Sequence, residues 1–242
     1  MEEEMGDTVL LCVHGIQGGP ERFSEVERAL AGRFDVVRLL LPGHGSDVRA
    51  FRTSGMDAWQ ACVDEAIDDL LRKYRGIVYL GHSMGGLLGI DACLRGHRVD
   101  AMILLACPLR IRITWRYVRN SVCSVLGWRD LNPFVHATRL GNSVQARHPW
   151  EYLSCARPYV QLLRKSRDVR RRVGALAIPV AALHGSRDEI VHRRSLDCFK
   201  GMANASRRIL SGCGHEYYTE EARGIILAMV EAALGSDAVQ TD

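Results

Sequence analysis

The hydrophobic pattern divides the chain into two kinds of segment that alternate. Short and mostly apolar runs are typical of strands buried in a parallel sheet, and they occur at residues 8–13, 36–41, 77–80, 101–106, 180–184 and 207–210. Longer segments with apolar residues at helical spacing lie between and after them, at residues 23–31, 56–74, 84–96, 189–202 and 219–234. This alternation predicts an α/β fold with a doubly wound, mostly parallel sheet of about six strands.

The alternation stops once, after the fourth strand. The segment from Cys107 to Ala175 has a mostly helical pattern and carries 14 Arg and Lys against 3 acidic residues, a net charge of +11. The whole chain has 32 basic and 28 acidic residues, so the part outside this segment has 18 basic and 25 acidic residues, a net charge of −7. We therefore expect a basic helical cap over residues 108–175, inserted into a core built from residues 1–107 and 176–242.

Composition narrows the class of protein. The chain has 242 residues, of which 47% are hydrophobic and 25% charged, as in ordinary globular proteins. No apolar run reaches the ~18 residues of a membrane-spanning helix, and the acidic start at residues 1–4 is unlike a secretory leader. Eight widely spread cysteines without a C-x-x-C pair suggest reduced thiols rather than disulfides or a zinc site. A cytoplasmic location is expected.

A glycine-flanked serine is the first candidate for chemistry. Gly81, Ser83 and Gly85 form a G-x-S-x-G pattern that follows an apolar strand and precedes a helix. Chance alone often supplies such a pattern, but this order of strand, turn and helix is what a nucleophile elbow requires. The residues two before and two after the serine must be almost free of side chain, and Gly86 allows the helix to approach the sheet. Ser83 is the predicted nucleophile.

A serine nucleophile needs a base, and the base needs an acid that orients it. Asp188 follows the fifth strand, where catalytic groups gather at the sheet edge, although an aspartate there could also be only a helix N-cap. His215 follows the sixth strand in a loop with Gly212 and Gly214. Ser83, Asp188 and His215 therefore form a predicted triad in the order serine, acid, histidine. Other histidines lack the downstream loop position, namely His14, His44, His82, His184 and His192.

Acyl transfer also needs donors for an oxyanion. The N–H of Met84, directly after the nucleophile, is one expected donor. The other is expected from the loop after the first strand, with Ile16 preferred and Gln17 as the near alternative. A glycine-rich loop that only turns the chain is the competing interpretation.

Five motifs together resemble the α/β-hydrolase superfamily, and more narrowly its small serine carboxylesterase and monoacylglycerol lipase branch. They are His14-Gly15-Ile16, Leu41-Pro42-Gly43-His44-Gly45, Gly81-His82-Ser83-Met84-Gly85-Gly86, Gly185-Ser186-Arg187-Asp188 and Gly212-Cys213-Gly214-His215. The resemblance spans residues 8–107 and 178–234. It implies a cap between two of the core strands and a backbone donor at Ile16. Only seven residues precede Thr8, too few for the first two strands of the family.

The expected activity is hydrolysis of carboxylic esters through a covalent acyl-enzyme, without a metal or an organic cofactor. Thioesterases, amidases or peptidases, and C–C hydrolases share such a triad and remain rivals. A dehalogenase is disfavoured because its chemistry needs an aspartate in place of Ser83. A ligand receptor that kept the fold and lost turnover is the alternative outside enzymes.

The cap bears on the substrate, which is expected to be a small-molecule or lipid ester. An apolar stripe that includes Trp115 and Trp128 could line an acyl pocket or pack against the core. The basic run at residues 164–172 is either a solvated helix face or a surface that weakly attracts anionic substrates or a membrane surface. Nucleic acid is not an expected partner, because no recognition pattern accompanies the charge. The oligomeric state is left open.

Overall fold

The computed structural model describes residues 6–125, 133–146 and 148–236. Within these ranges six strands form a single sheet in the order β2-β1-β3-β4-β5-β6, and every neighbouring pair is parallel. The strands are β1 (Gly6–Val13), β2 (Asp35–Leu39), β3 (Tyr74–His82), β4 (Ala101–Leu105), β5 (Val180–Gly185) and β6 (Ala205–Leu210). The predicted doubly wound sheet of six strands is confirmed.

Helices cover both faces of the sheet. They are α1 (Ser24–Leu30), α2 (Val48–Thr53), α3 (Met56–Leu71), α4 (Met84–Leu94), α5 (Trp115–Val125), α6 (Pro133–Gly141), α7 (Ala156–Arg172) and α8 (Glu220–Leu234). Alternate residues of β1 point to opposite faces. Val9 and Leu11 join the apolar cluster beneath α3, α4 and α7, whereas Leu10 and Cys12 join the cluster beneath α1 and α8.

The insertion between β4 and β5 contains α5, α6, a 3₁₀ helix at Pro149–Cys155, and α7. Helix α7 anchors it to the core by burying Leu162 and Val169. A buried ion-pair group adds to this contact, because Asp91 of α4 accepts hydrogen bonds from Lys165 at 2.7 Å and from Arg172.

The predicted helix over residues 189–202 is wrong. Only a short 3₁₀ helix forms there, at Arg193–Phe199. The preceding residues turn instead, since Asp188 Oδ1 accepts the N–H groups of Ile190 and Val191, both at 2.8 Å. Val191 also forms an antiparallel bridge with Ile111. A helix over these residues would need the Glu189 and Ile190 carbonyls as acceptors, but these carbonyls accept instead from Thr114 N–H at 2.9 Å and from Arg112 N–H at 2.7 Å.

All eight cysteines lie in the described ranges as free thiols, and five of them are buried. Among the helices in those ranges, none has both the length and the apolar character needed to cross a bilayer.

Candidate active site

Ser83 lies at the junction of β3 and α4 in a strained backbone conformation. Its φ of 51° and ψ of −121° are far from those of an ordinary residue in a strand or helix. Its N–H donates to the Leu105 carbonyl at 2.8 Å, and its own carbonyl accepts from Gly86 N–H at 2.9 Å. These contacts hold the turn that raises the hydroxyl at the N-terminus of α4.

The glycines of the motif are required by close contacts. A Cβ at Gly85 would lie 2.1 Å from the Val13 carbonyl oxygen, and one at Gly81 would lie 2.8 Å from Gly86 Cα. The Tyr79 hydroxyl donates to the Gly85 carbonyl at 2.7 Å and fixes the first turn of α4 from below. The sharp turn at Ser83 thus depends on residues without a side chain.

The structure brings the three predicted triad residues together. The Ser83 hydroxyl lies 3.0 Å from His215 Nε2, and His215 Nδ1 lies 3.0 Å from Asp188 Oδ2. All three residues are buried. With Nδ1–H donating to the carboxylate, Nε2 is left to accept the serine proton, which is the tautomer that a general base needs.

Asp188 is held as an anion by its surroundings. Burial alone would raise the pKa of its carboxyl group, but the nearby His215 ring, the hydrogen bond to that ring and the Val191 N–H outweigh burial and lower the pKa. Its two oxygens are used differently, one by His215 and the other by the backbone of the following turn. Because these bonds close a turn and the following 3₁₀ helix begins only at Arg193, Asp188 is not a helix N-cap, and its contact with His215 fits the proposed triad.

The two oxyanion candidates in the loop after β1 differ in the hydrogen bonds that their N–H groups already make. Gln17 has a φ of 57°, and its N–H is already used in a 3.1 Å bond to His44 Nε2. On its other side, Ser143 N–H donates to the Gln17 carbonyl at 2.7 Å. Within the described residues the N–H of Ile16 has no protein acceptor, and that of Met84 has none inside its helix because it is the first helical residue. Ile16 and Met84 remain the proposed donors.

His14 and His44 serve the loops rather than the serine. His14 Nε2 accepts from Leu41 N–H at 3.2 Å, and its Nδ1 donates to the Gly15 carbonyl at 2.9 Å. Burial lowers the pKa of His14 to about 3 and that of His44 to about 4. Both rings are therefore neutral members of a hydrogen-bonded loop cluster near neutral pH.

Sequence reasoning missed two buried residues around the base. His82 Nε2 lies 3.0 Å from the His215 carbonyl oxygen, and Glu189 Oε2 accepts the His215 N–H at 3.2 Å. Both side chains are almost fully buried. The only sequence signal is their position, each directly beside a triad residue, and adjacency in the chain does not reveal a contact with a third segment.

One group of side chains has the spacing of metal ligands. Nitrogen and oxygen atoms of His82, His215 and Glu216 lie within 4.8 Å of one another in the described part of the chain. His215 is, however, bonded to Asp188 and Ser83, and Glu216 forms an ion pair with Arg22. These partners account for the cluster without a cation.

The described residues do not place the two tryptophans predicted to bind substrate in a pocket. Trp115 begins α5 and is 77% exposed, and Val118 on the same side is 39% exposed. The inward face of α5 instead carries Asn120 and Cys123, both buried. Trp128 lies outside the described residues. The acyl-binding role of these tryptophans therefore remains a prediction.

Comparisons with known proteins identify the family of the chain. Residues 6–222 match the sequence profile of the family described as serine aminopeptidase, S33 (Hydrolase_4). The chain belongs to this family of α/β hydrolases. Membership confirms the resemblance to the superfamily and indicates hydrolase activity.

Relatives of this α/β hydrolase include esterases. The chain is 26% identical over 233 residues to a pimeloyl-acyl-carrier-protein methyl ester esterase of Sodalis glossinidius (strain morsitans), covering 87% of each protein. Its fold is similar to that of metagenome-derived lipolytic enzymes, LipS and LipT, with a TM-score of 0.70, 16% identity and coverage of 95% and 94%. A monoacylglycerol lipase of Paleococcus ferrophilus gives a TM-score of 0.66 at 16% identity, with coverage of 95% and 96%. At such identities the structural likeness concerns the fold alone.

Proposed function

We propose that this α/β hydrolase cleaves carboxylic esters with Ser83 as nucleophile, His215 as base and Asp188 as the acid that orients it. The observation that carries the proposal is the continuous chain of buried hydrogen bonds from Ser83 Oγ through the His215 ring to Asp188, with 3.0 Å at both steps. The esterase named among its relatives supports an ester rather than another acyl substrate.

The reaction proceeds in two acyl transfers. Ser83 Oγ attacks the ester carbonyl while His215 Nε2 takes its proton, and the N–H groups of Ile16 and Met84 donate to the oxyanion. The protonated His215 then gives its proton to the leaving alkoxide as the C–O bond breaks. Water, deprotonated by the same ring, attacks the acyl-enzyme and releases the acid and Ser83.

Labelling by a fluorophosphonate probe tests the nucleophile. The parent protein is expected to be labelled, Ser83→Ala to be unlabelled, and Ser211→Ala, which changes a serine of the loop after β6, to be labelled like the parent. Asp188→Asn is expected to be labelled about 10³–10⁴-fold more slowly, because the ring loses the partner that fixes its tautomer. No labelling of the parent would refute the proposal.

A panel of substrates with different acyl bonds tests which class of substrate the enzyme prefers. A chain-length series of p-nitrophenyl esters, monoacylglycerols, an acyl thioester and an aminoacyl p-nitroanilide separates esterase, thioesterase and amidase activities. We expect the largest kcat/KM for the esters. The amide arm matters because the family description names an aminopeptidase, and faster cleavage of the anilide than of any ester would overturn the ester assignment.

The cap supports a preference for anionic substrates. Arg164, Arg167 and Arg171 are exposed and recur at a spacing of three and four residues along α7, so they share one face of the helix. We propose that this face attracts an anionic substrate or an anionic surface. The proposal rests on the net charge of the cap and on the exposure of these three side chains.

A further inference from the structure

The base of the proposed triad stands on a segment without regular structure. His215 lies between β6 and α8, in a loop that contains Gly212 with a φ of 72° and Gly214. Glycines leave such a backbone many alternative conformations. Efficient proton transfer requires the imidazole to stay within hydrogen-bond distance of Ser83, so the backbone of His215 has to be held by other groups.

The carbonyl of His215 is held from the serine turn. His82 Nε2 lies 3.0 Å from this oxygen, and the other ring nitrogen, Nδ1, is buried with no hydrogen-bond partner among the residues that the structure describes. Because a carbonyl oxygen only accepts, His82 carries its hydrogen on Nε2 and donates. Burial lowers the pKa of His82 well below its usual value, which keeps the ring neutral. His82 is bonded directly to Ser83 in the chain, so this contact couples the base to the nucleophile.

The N–H of His215 is held from the acid turn. Glu189 Oε2 accepts it at 3.2 Å. The same oxygen lies so close to Gly214 that a Cβ on that residue would be 2.9 Å from it. The backbone of Glu189 is itself anchored, because its carbonyl accepts from Thr114 N–H at 2.9 Å and from the Thr114 hydroxyl at 3.0 Å. Glu189 follows Asp188 directly, so this contact couples the base to its acid.

We propose that His82 and Glu189 are positioning residues for catalysis, each holding one backbone group of His215. The inference rests on the proposed function, since it assigns to both residues an effect exerted through His215. Neither side chain is required to touch the substrate. Their loss should therefore reduce the rate of the chemical step rather than the binding of the ester.

Four variants test the proposal with p-nitrophenyl acetate. Glu189→Met removes the acceptor at similar volume, and His82→Phe removes the donor while keeping a ring. We expect each to lower kcat about 10- to 100-fold, the scale on which small misplacements of a catalytic group act, with KM changed less than about threefold. Glu189→Gln retains an acceptor and His82→Gln retains a donor. We expect the kcat of each to be about tenfold higher than that of Glu189→Met and of His82→Phe, respectively. Glu221→Met, at an exposed carboxylate of α8, is the surface control.

A His215→Ala background separates positioning from general damage. A residue that acts through the His215 ring has no further effect once the ring is absent, so the same substitutions should leave the residual rate unchanged there. Loss of rate in that background would overturn the inference, and so would equal losses in Glu189→Met and Glu189→Gln or in His82→Phe and His82→Gln. The Tm of each variant shows whether it folds. If a variant of one residue does not fold, the pair of variants at the other residue still tests the inference. Full activity of Ser83→Ala would instead refute the proposed function.

Discussion

At the scale of single residues, the serine turn depends on space that only glycine leaves. A Cβ on residue 85 would lie 2.1 Å from the Val13 carbonyl oxygen. Neither this backbone, at the end of β1, nor the backbone of the serine turn can move away easily. We expect Gly85→Ala to destabilise the fold by about 1–3 kcal/mol or more and to remove activity. Denaturant unfolding and the fluorophosphonate assay measure the two effects.

Gly224→Ala is the matched control for this prediction. Gly224 lies inside α8, is exposed, and has no atom within 4 Å of the position of an added Cβ. Alanine should therefore stabilise the helix by up to about 1 kcal/mol. The prediction would be contradicted if Gly85→Ala had the stability of the parent.

The residues of the proposed triad could be chosen from the sequence, whereas the side chains that hold the His215 backbone could not. Ser83, Asp188 and His215 each follow a strand of recognisable pattern, and parallel strands deliver the residues after them to one edge of the sheet. The contacts of His215 with His82 and Glu189 span 133 and 26 residues and depend on side-chain orientation. No periodicity or motif encodes such orientation.

At the scale of elements, charge docks the cap on the core. Asp91 is buried in α4 and accepts from Lys165 and Arg172 of α7 and from Arg95, which directly follows α4. Burial alone would raise the pKa of Asp91, but its hydrogen bonds to Lys165 and Arg172 and their positive charges lower it. Removing the carboxylate would leave the partly buried Lys165 without its partner, and we expect Asp91→Ala to destabilise the fold by about 3 kcal/mol in urea unfolding.

Asp168→Ala provides the comparison for the docking group. Asp168 pairs with the same Arg172, but both partners of that pair are at least one-third exposed. Solvent screens such a pair, so its loss should cost no more than about 1 kcal/mol. Similar losses for the two variants would show that the Asp91 group does not anchor α7.

Among the elements, the strands were predictable for a physical reason. Strands buried on both faces read as continuous apolar runs, and β1 shows this with Val9 to Val13 fully buried. The helix expected over residues 189–202 does not form because the Glu189 and Ile190 carbonyls accept from Thr114 and Arg112 N–H instead of from the next helical turn. Helix α2 was not predicted, since its six residues are too few for a periodic pattern and it is fixed by its Asp47 cap.

At the scale of the whole molecule, the loop histidines predict sensitivity to acid. His14 and His44 have pKa values of about 3 and about 4, below their ordinary 6.5. Between these values and 6.5 the unfolded chain binds more protons, so stability rises with pH and falls on acidification. Each ring should contribute about 1.4 kcal/mol per pH unit. We expect His44→Gln to reduce the slope of the free energy of unfolding between about pH 6 and 4 by that amount, measured by urea titration. A slope equal to that of the parent would contradict the prediction.

The uneven charge of the molecule gives a test of substrate attraction. Two arginines of the basic run are already used in docking, because Arg170 donates to the Leu109 carbonyl at 3.3 Å and Arg172 pairs with Asp91. The exposed Arg164, Arg167 and Arg171 remain for attraction, and replacing all three by Gln should lower kcat/KM for an anionic ester about tenfold at low salt. The loss should shrink as added salt screens the charges.

The controls for this triple variant are a neutral ester and a second triple variant. A neutral ester of similar size should keep its kcat/KM, because no long-range attraction acts on it. Replacing Arg28, Arg207 and Arg208, which are exposed on the core, by Gln makes the same change in net charge away from α7. We expect this variant to retain most of the rate with the anionic ester. An equal loss of kcat/KM in the two triple variants would mean that the total charge of the protein acts, and not the exposed face of α7. An equal loss of kcat/KM for the anionic and the neutral ester would rule out attraction by charge.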